Sequence, residues 1–405
     1  MCALAFQDLY PARPCPICDS HGPRHLHTQH FYQIDGGGPL RGYDVVVCRS
    51  CGFSFADHIP PQRAFDDYYR DLSKYENVDK GGDVSPQDEK RYGSVVALVA
   101  GFLNDNNAQI LDVGCSTGKL LDLFRGHGFG QVRGLDPSAA CVQTAEIRYG
   151  IEVHQGTMSA LPESLCSAGP FDCIILSGIL EHFSDLDQAL AKTSGLLDER
   201  GIIFVEVPDA TAFAAHFGAP FQEFSTEHLN FFSPLSLRNI MARYGFSEAS
   251  SQRAVREHGQ SSVMPSVAAV FTRGARSGRG EFLRDEETEP RLRDYIQRSK
   301  EVDREVEEVI RRLVKDGTEF VVWGTGTHTQ RLLATGGLAE ARILAFVDSN
   351  PRYQGKTLAG RPILPPGELS HFGVPILVST RVFQAEIEDA IRNKLKLGNA
   401  VIKLY

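Results

Sequence analysis

No run of this chain approaches the roughly 18 uninterrupted apolar residues of a membrane span, so no transmembrane segment is expected. A basic surplus is missing too. Lys and Arg number 42 against 51 Asp and Glu, a net charge of −9. General nucleic-acid affinity needs a basic footprint and is set aside. A small anionic substrate held by local arginines is still allowed. The opening stretch MCALAFQDLYPARPC has no basic residues ahead of its short apolar segment, so no signal peptide is expected. The nine cysteines are an odd count, and without an export signal they argue against a disulfide framework. The cytoplasm is the expected compartment. What remains is an ordinary globular composition, 42% hydrophobic and 23% charged, over 405 residues, enough for two to three domains.

Four of the cysteines are arranged. Cys15-Pro-Ile-Cys18 and Cys48-Arg-Ser-Cys51 are two C-x2-C pairs, each followed closely by a small residue or glycine, Ser20 and Gly52. Two such pairs close a tetrahedral thiolate site, the arrangement of structural zinc, and leave no open position for catalysis. The 29-residue gap between the pairs is long, and His21, His25, His27 and His30 stand near enough to compete as ligands. Tyr43–Val47 is expected as the strand entering the second pair. Beyond it, Phe65, Tyr68, Tyr69 and Tyr75 form an aromatic cluster whose first three members are expected to pack on the next domain. Gly81-Gly82-Asp83 then marks a loop before a helix at about 87–104.

The chain is organised around Gln109–Leu121, QILDVGCSTGKLL. Ile110, Leu111 and Val113 suit a buried parallel strand with Asp112 inside it, and a helical apolar pattern starts at Leu120. Between them Gly114, Cys115 and Gly118 make a small-residue turn that lets a ligand approach the backbone and the free N–H groups of a helix start. The spacing is neither that of a phosphate-binding P-loop nor G-x-G-x-x-G. Further strands are expected at Val132–Leu135, Ile151–His154, Cys173–Leu176 and Gly201–Val207. They end respectively in Asp136, in Gly156-Thr157-Met158, in Ser177-Gly178-Ile179-Leu180-Glu181-His182, and in Pro208. Alternation of this kind implies a doubly wound sheet with ligands at the carboxyl ends of its strands. Asp136, 22 residues after Gly114, is placed to accept the ribose hydroxyls of an adenosine.

An insertion, Thr211–Phe232, ends PFQEFSTEHLNFFS and sets Glu227 and His228 among aromatic residues, with Phe231 and Phe232 expected to exclude water. A helix follows at Pro234–Tyr244. Residues 276–291, with Arg276, Gly278, Arg279 and Gly280, read as a linker, and Leu292–Lys315 as an amphipathic helix. A second strand–turn–helix begins at Glu319–Trp323 and Gly324-Thr325-Gly326, with Thr329 in place of a third glycine. Asp348 lies 24 residues beyond Gly324, at the end of the next strand. Nucleotide binding and a purely structural role both remain open for this last unit.

The turn D-x-G-x-x-x-G resembles the first motif of class I S-adenosylmethionine (SAM) methyltransferases, and the string Leu180-Glu181-His182 is common in them. NAD is the competing ligand. The whole order resembles sugar C-methyltransferases that act on nucleotide-linked keto-deoxysugars. Its most specific parts are the four cysteines, Asp112–Gly118, and Glu227-His228-Leu229-Asn230-Phe231-Phe232-Ser233, for which the family typically has Y-H-E-H-x-x-Y-F-S. Here Ser225 stands at the tyrosine and Thr226 at the first histidine, and the C-terminal glycine turn lacks the family's closing Lys and Gly.

The resemblance implies an α/β fold. Its parts are an N-terminal zinc-binding module (1–75), a central class I, Rossmann-like methyltransferase domain (76–275), a linker and amphipathic helix (276–316), and a C-terminal Rossmann-like domain for substrate or nucleotide (317–405). It implies SAM on Asp112, Gly114, Cys115, Gly118, Asp136, Thr157, Met158 and Ser177, and structural zinc on Cys15, Cys18, Cys48 and Cys51. It implies a small-molecule acceptor, a nucleotide-linked sugar among the candidates. His228 is the implied base, with Glu227 orienting it and His182 the second candidate; such a base serves carbon or oxygen acceptors near neutral pH. An O- or N-methyltransferase of another natural-product scaffold, or a non-catalytic zinc- and nucleotide-binding protein, are the alternatives.

Overall fold

The computed structural model describes residues 6–72, 84–258, 262–274 and 281–405. Tyr75, Gly81-Gly82-Asp83, Arg276, Gly278, Arg279 and Gly280, all considered above, lie outside them.

After a short helix α1 (Phe6–Leu9), the polar strand β1 (Arg24–His30) pairs antiparallel with β2 (Gly42–Val47), and β2 with β3 (Ser54–Asp57). Both faces of β2 are buried because each meets a different core. Val46 joins the cysteines and Phe53 on one side; Tyr43 and Val45 join Phe224 and Tyr295 on the other. Strand β1 uses its histidines locally. His27 stacks on Phe221, centroids 4.4 Å apart, His30 meets Phe6 edge-on, and His25 contacts Thr28. Helix α2 (Gln62–Leu72) buries Phe65, and α3 (Pro86–Ala100) starts at Ser85, whose hydroxyl accepts from the Asp88 N–H.

The central sheet then winds as expected. In chain order come β4 (Ile110–Val113), α4 (Lys119–Gly126), β5 (Val132–Asp136), α5 (Ala139–Tyr149), β6 (Glu152–Gln155), α6 (Glu163–Ala168), β7 (Phe171–Ser177), α7 (Leu186–Leu196) and β8 (Leu197–Pro208). A two-residue strand β9 (Asn230–Phe231), helix α8 (Pro234–Arg243) and the long strands β10 (Phe246–His258) and β11 (Ser262–Arg273) follow. The order across the sheet is β10-β11-β8-β7-β4-β5-β6. Its first five strands are parallel and run 3-2-1-4-5, so the winding reverses between β4 and β7, where a ligand crevice is expected. The hairpin β10–β11, antiparallel to β8, was not among the expected strands. β6 lies one residue later than expected.

Strand β9 leaves the central sheet and pairs with β3, completing a four-stranded sheet β1-β2-β3-β9. Its alternation sends Phe231 into one core and Phe232 into another. Phe231 and Phe232, expected to exclude water from Glu227 and His228, are interior packing, as is Phe224.

Helix α9 (Thr288–Lys315) crosses two cores with one apolar stripe: Leu292 and Ile296 pack beside Phe231, Val306 and Ile310 beside Phe320. The approach to it, read as linker, is docked over its described part. The buried Asp285 accepts from the Ser233 and Thr288 hydroxyls, and its N–H donates to the Cys51 carbonyl at 2.8 Å. A second sheet closes the chain, made of β12 (Glu319–Trp323), β13 (Arg342–Val347), β14 (Thr357–Leu358), β15 (Arg361–Leu364), β16 (Ile376–Val378) and β17 (Val401–Lys403), with helices α10 (Thr327–Thr335) and α11 (Gln384–Asp389). Its order β14-β15-β13-β12-β16-β17 repeats the 3-2-1-4-5 winding in its parallel strands. No helix among the described residues is long and apolar enough to cross a membrane.

Candidate active site

A cavity of about 770 Å³ opens at the switch between β4 and β7. Its floor is the glycine turn. Gly114 has φ +72°, a left-handed conformation that costs an L side chain energy. A Cβ there would also stand 2.2 Å from Ile179 Cδ1. Gly118 is not on the cavity wall. A Cβ on it would press on Ala145 at 3.0 Å, so it serves the close packing of α4 on α5.

Asp112, Gly114, Cys115, Asp136, Thr157, Met158 and Ser177 all line the cavity. Asp136 accepts from the Ser116 and Ser138 N–H groups, each at 2.9 Å, which orients its carboxylate. Asp112 has no hydrogen-bond partner among the described residues. Burial, and then the charge of Asp136, push its carboxyl up to about 8, against the pull of Arg91. Ser177 belongs to a buried network that the sequence did not suggest. Arg91 on α3 donates to Glu206 at 3.0 Å and to the Ser177 hydroxyl at 2.6 Å, and Arg256 on β10 donates to the other Glu206 oxygen at 2.5 Å. The expected five strands left out β10, so Arg256 had no place near the site.

His182 and His228 meet on the far wall, ring centroids 5.2 Å apart. Their elements are stitched together: Leu229 N–H donates to the Glu181 carbonyl at 2.7 Å, and Asn230 donates to the Leu180 and Phe183 carbonyls. His182 Nδ1 lies 2.9 Å from the Glu227 carbonyl oxygen and 3.1 Å from Tyr69 Oη. A carbonyl only accepts, so Nδ1 carries a hydrogen, and Nε2 lies 3.9 Å from Glu181 Oε1. Burial raises the Glu181 carboxyl above its usual range, and Glu181 Oε2 has no partner among the described residues.

The Glu227 side chain does not reach the cavity wall; it accepts from Tyr68 Oη at 3.1 Å. Tyr68 and Tyr69 are thus more than packing residues, since their hydroxyls hold the two halves of the catalytic candidate. Ser225, in the position of the family's tyrosine, accepts from the Glu227 and His228 N–H groups at 3.2 and 3.1 Å and so shapes the turn that presents His228.

From the second glycine-turn domain, Thr327, His328 and Arg331 at the start of α10 and Thr380–Phe383 after β16 reach the same cavity. Gly324 and Asp348 do not. Asp348 accepts from its own chain, at Thr325 N, Thr325 Oγ1 and Asn350 N.

Away from the cavity, the Sγ atoms of Cys15, Cys18, Cys48 and Cys51 lie within 4.8 Å of one another, the pairs 15–51 and 18–48 at 3.5 Å. A tetrahedral zinc with bonds of about 2.3 Å sets its sulfurs roughly 3.8 Å apart, so the cluster has the right size. The thiols so crowded oppose one another, Cys15 and Cys51 driven up by their sulfur neighbours and Cys48 down. Only a cation lets all four ionise.

Residues 87–250 match the family model described as a methyltransferase domain. Over 335 residues the chain is 27% identical to the C-methyltransferase NovU of Streptomyces niveus, covering 81% of this chain and 77% of that one. The chain is a SAM-dependent methyltransferase. It is also 30% identical over 125 residues to a ubiquinone biosynthesis O-methyltransferase of Brucella ovis, a match spanning 28% of this methyltransferase and 49% of the relative. Among solved structures, magnesium protoporphyrin IX methyltransferase of Synechocystis PCC 6803 with bound SAH overlaps 53% of this chain and 99% of its own, at 17% identity and a TM-score of 0.40.

Proposed function

We propose that this methyltransferase acts on a small molecule of a biosynthetic pathway, a sugar or nucleotide-linked sugar, with carbon as the acceptor atom. The observation that carries this reading is the single cavity shared by three groups: the glycine turn, the His182–His228 pair, and the start of α10 in the C-terminal domain. A compact acceptor needs only the first two. The third suits an acceptor with a second part, such as a nucleotide, lying along the C-terminal domain. The similarity to NovU, a C-methyltransferase by name, extends over most of both chains and supports carbon.

SAM supplies an electrophilic methyl on a cationic sulfur, held by Asp112, Gly114, Cys115, Asp136, Thr157, Met158 and Ser177. Gly118 fixes the turn without touching the ligand. His228 is placed to take the proton from an acceptor carbon beside a carbonyl, leaving there the electron pair that the methyl of a bound SAM would accept, with SAH as the leaving group. The Tyr69 hydroxyl stands beside it to donate to the developing oxyanion, and His182, its Nδ1 hydrogen committed to the Glu227 carbonyl, helps to keep the acceptor in line. Glu227 acts at one remove, through its backbone carbonyl on His182. The four cysteines hold a structural zinc that fixes the module from which Tyr68 and Tyr69 come. Oxygen methylation is the second reading, favoured by the match to ubiquinone O-methyltransferases.

The test pairs SAM titration with turnover on nucleotide-linked keto-sugars. His228→Ala is expected to keep SAM affinity within a small factor and to lower turnover roughly 100-fold or more. Full activity in that variant would move the base to His182.

A further inference from the structure

The insertion before the catalytic loop holds a carboxyl that the mechanism does not use. Glu223 lies inside the cavity wall, 8% exposed, with no hydrogen-bond or ionic partner among the described residues. Its place is fixed by others. Tyr295 and Ser299, one turn apart on α9, accept from the Glu223 and Phe221 N–H groups at 3.0 and 3.1 Å. Phe221 is held at φ +52°, its ring against His27 on one contact and the Arg331 guanidinium at 5.2 Å on another. Arg331, the cation of this corner, is committed to both oxygens of Asp303, at 2.5 and 2.8 Å. Two backbone amides and one ring thus fix the loop that places Glu223 on the cavity wall.

We propose that Glu223 binds a protonated amino group of the acceptor, so that the enzyme prefers amine-bearing substrates to their hydroxyl counterparts; this rests on the small-molecule reading above. The carboxyls of the other buried pairs already have cations: Glu206 has Arg91 and Arg256, and Asp303 has Arg331. Glu223 has none, and a buried charge without a partner is unfavourable. A hydroxyl is bound as well by a neutral amide, which carries no such penalty. The ionised carboxyl in this position gains most from a ligand that brings a positive charge. Burial alone raises its proton affinity, to about 7, in the free enzyme. The titratable group bonded to the Glu223 backbone is Tyr295 on α9; His27 on β1 and Arg331 on α10 pack on the neighbouring Phe221 ring, and burial holds both Tyr295 and His27 neutral.

Two measurements test this. Calorimetry, with SAH present, compares a nucleoside-diphosphate-linked keto-sugar bearing an amine beside the keto carbon with its hydroxyl counterpart. Wild type is expected to bind the amine about tenfold more tightly, and Glu223→Gln to bind the two equally with SAH affinity unchanged. A wild type without preference, or a preference that survives Glu223→Gln, overturns the proposal. Binding of neither sugar overturns the nucleotide-sugar reading instead, and the second measurement then decides for Glu223. In the ligand-free full chain, Glu223→Gln is expected to melt higher than wild type at pH 8 and by a smaller margin at pH 5, because a carboxyl raised by burial from its ordinary 4.5 destabilises increasingly above that value. Equal or lower melting of the variant at pH 8 shows a carboxyl already satisfied within the protein, and overturns the proposal whatever the acceptor.

Discussion

Binding of SAM at pH 7 should release most of a proton, and the proton should come from Asp112. The side chain is buried at the end of β4, unpartnered among the described residues, and raised from 3.8 to about 8 by burial and by Asp136. At pH 7 a group of that affinity is about nine-tenths protonated. A cation delivered into the cavity, the ammonium or sulfonium of the donor, returns the carboxyl to its charged form. The ligand's own amino group, ordinarily near 8, takes up roughly a tenth of a proton on binding as ammonium, leaving a net release of about 0.8. The sign for stability follows from linkage. A raised carboxyl has no effect below its unfolded value and increasingly destabilises as pH climbs to its folded one. For Asp112 the window is 3.8 to about 8, and the penalty at pH 7 is at most about 4 kcal/mol. Asp112→Asn should therefore stabilise the free protein at pH 7, weaken SAM binding and abolish the proton release. Calorimetry in two buffers of different ionisation enthalpy reads the proton directly. Heats that do not depend on the buffer in wild type would refute this reasoning.

Two further outcomes are expected. Gly52→Ala should be destabilising by roughly 3 kcal/mol or more, measured by denaturant unfolding: φ is +82° and a Cβ would stand 1.9 Å from the Asp285 carbonyl oxygen, which is backbone and cannot rotate away. Unfolding within experimental error of wild type would show that the 281–287 segment is not docked there. Metal analysis of protein prepared without chelator should find about one zinc per chain, and Cys15→Ser should lower both the metal content and the melting temperature; a metal-free wild type would end the zinc proposal.

The parts of this molecule that were legible in its sequence are those where a local pattern and a physical need coincide. The glycine turn after β4 is one, because Gly114 must be left-handed and no other residue suits. The paired cysteines are another, because ligand spacing is set by the knuckle itself. What could not be read was either polar in strand or distant in chain. Strand β1, RHLHTQH, and strand β10, FSEASSQRAVREH, lie at sheet edges and lack the apolar alternation that marks a strand. Missing β10 also hid Arg256. Strand β9 is two residues long, too short for any periodicity, so Phe231 and Phe232 looked like neighbours on one face when they enter different cores. The hydroxyls of Tyr68 and Tyr69 meet partners 159 and 113 residues away, a pairing that only the tertiary fold creates.

That same short strand explains why the four-cysteine module and the His228 loop belong to one unit. Phe55 and Ser54 of β3 pair with Asn230 and Phe231 of β9, and the Ala56 N–H donates to the Leu229 carbonyl at 2.8 Å. Ser54 follows the last cysteine by three residues, and His228 precedes β9 by two. On the other side of the knuckle, Arg243 of α8 donates to the Pro16 and Ile17 carbonyls at 2.9 and 3.0 Å and pairs with Asp187. The first cysteine pair is thereby tied to α7 and α8 of the central domain, and the second to the loop that carries His228. A displacement at the cysteines has a direct backbone route to the imidazole, through one antiparallel pair, and none of comparable length to the glycine turn. Disturbing the cysteine cluster should for that reason misplace His228 and Tyr69 before it disturbs the glycine-turn side of the cavity.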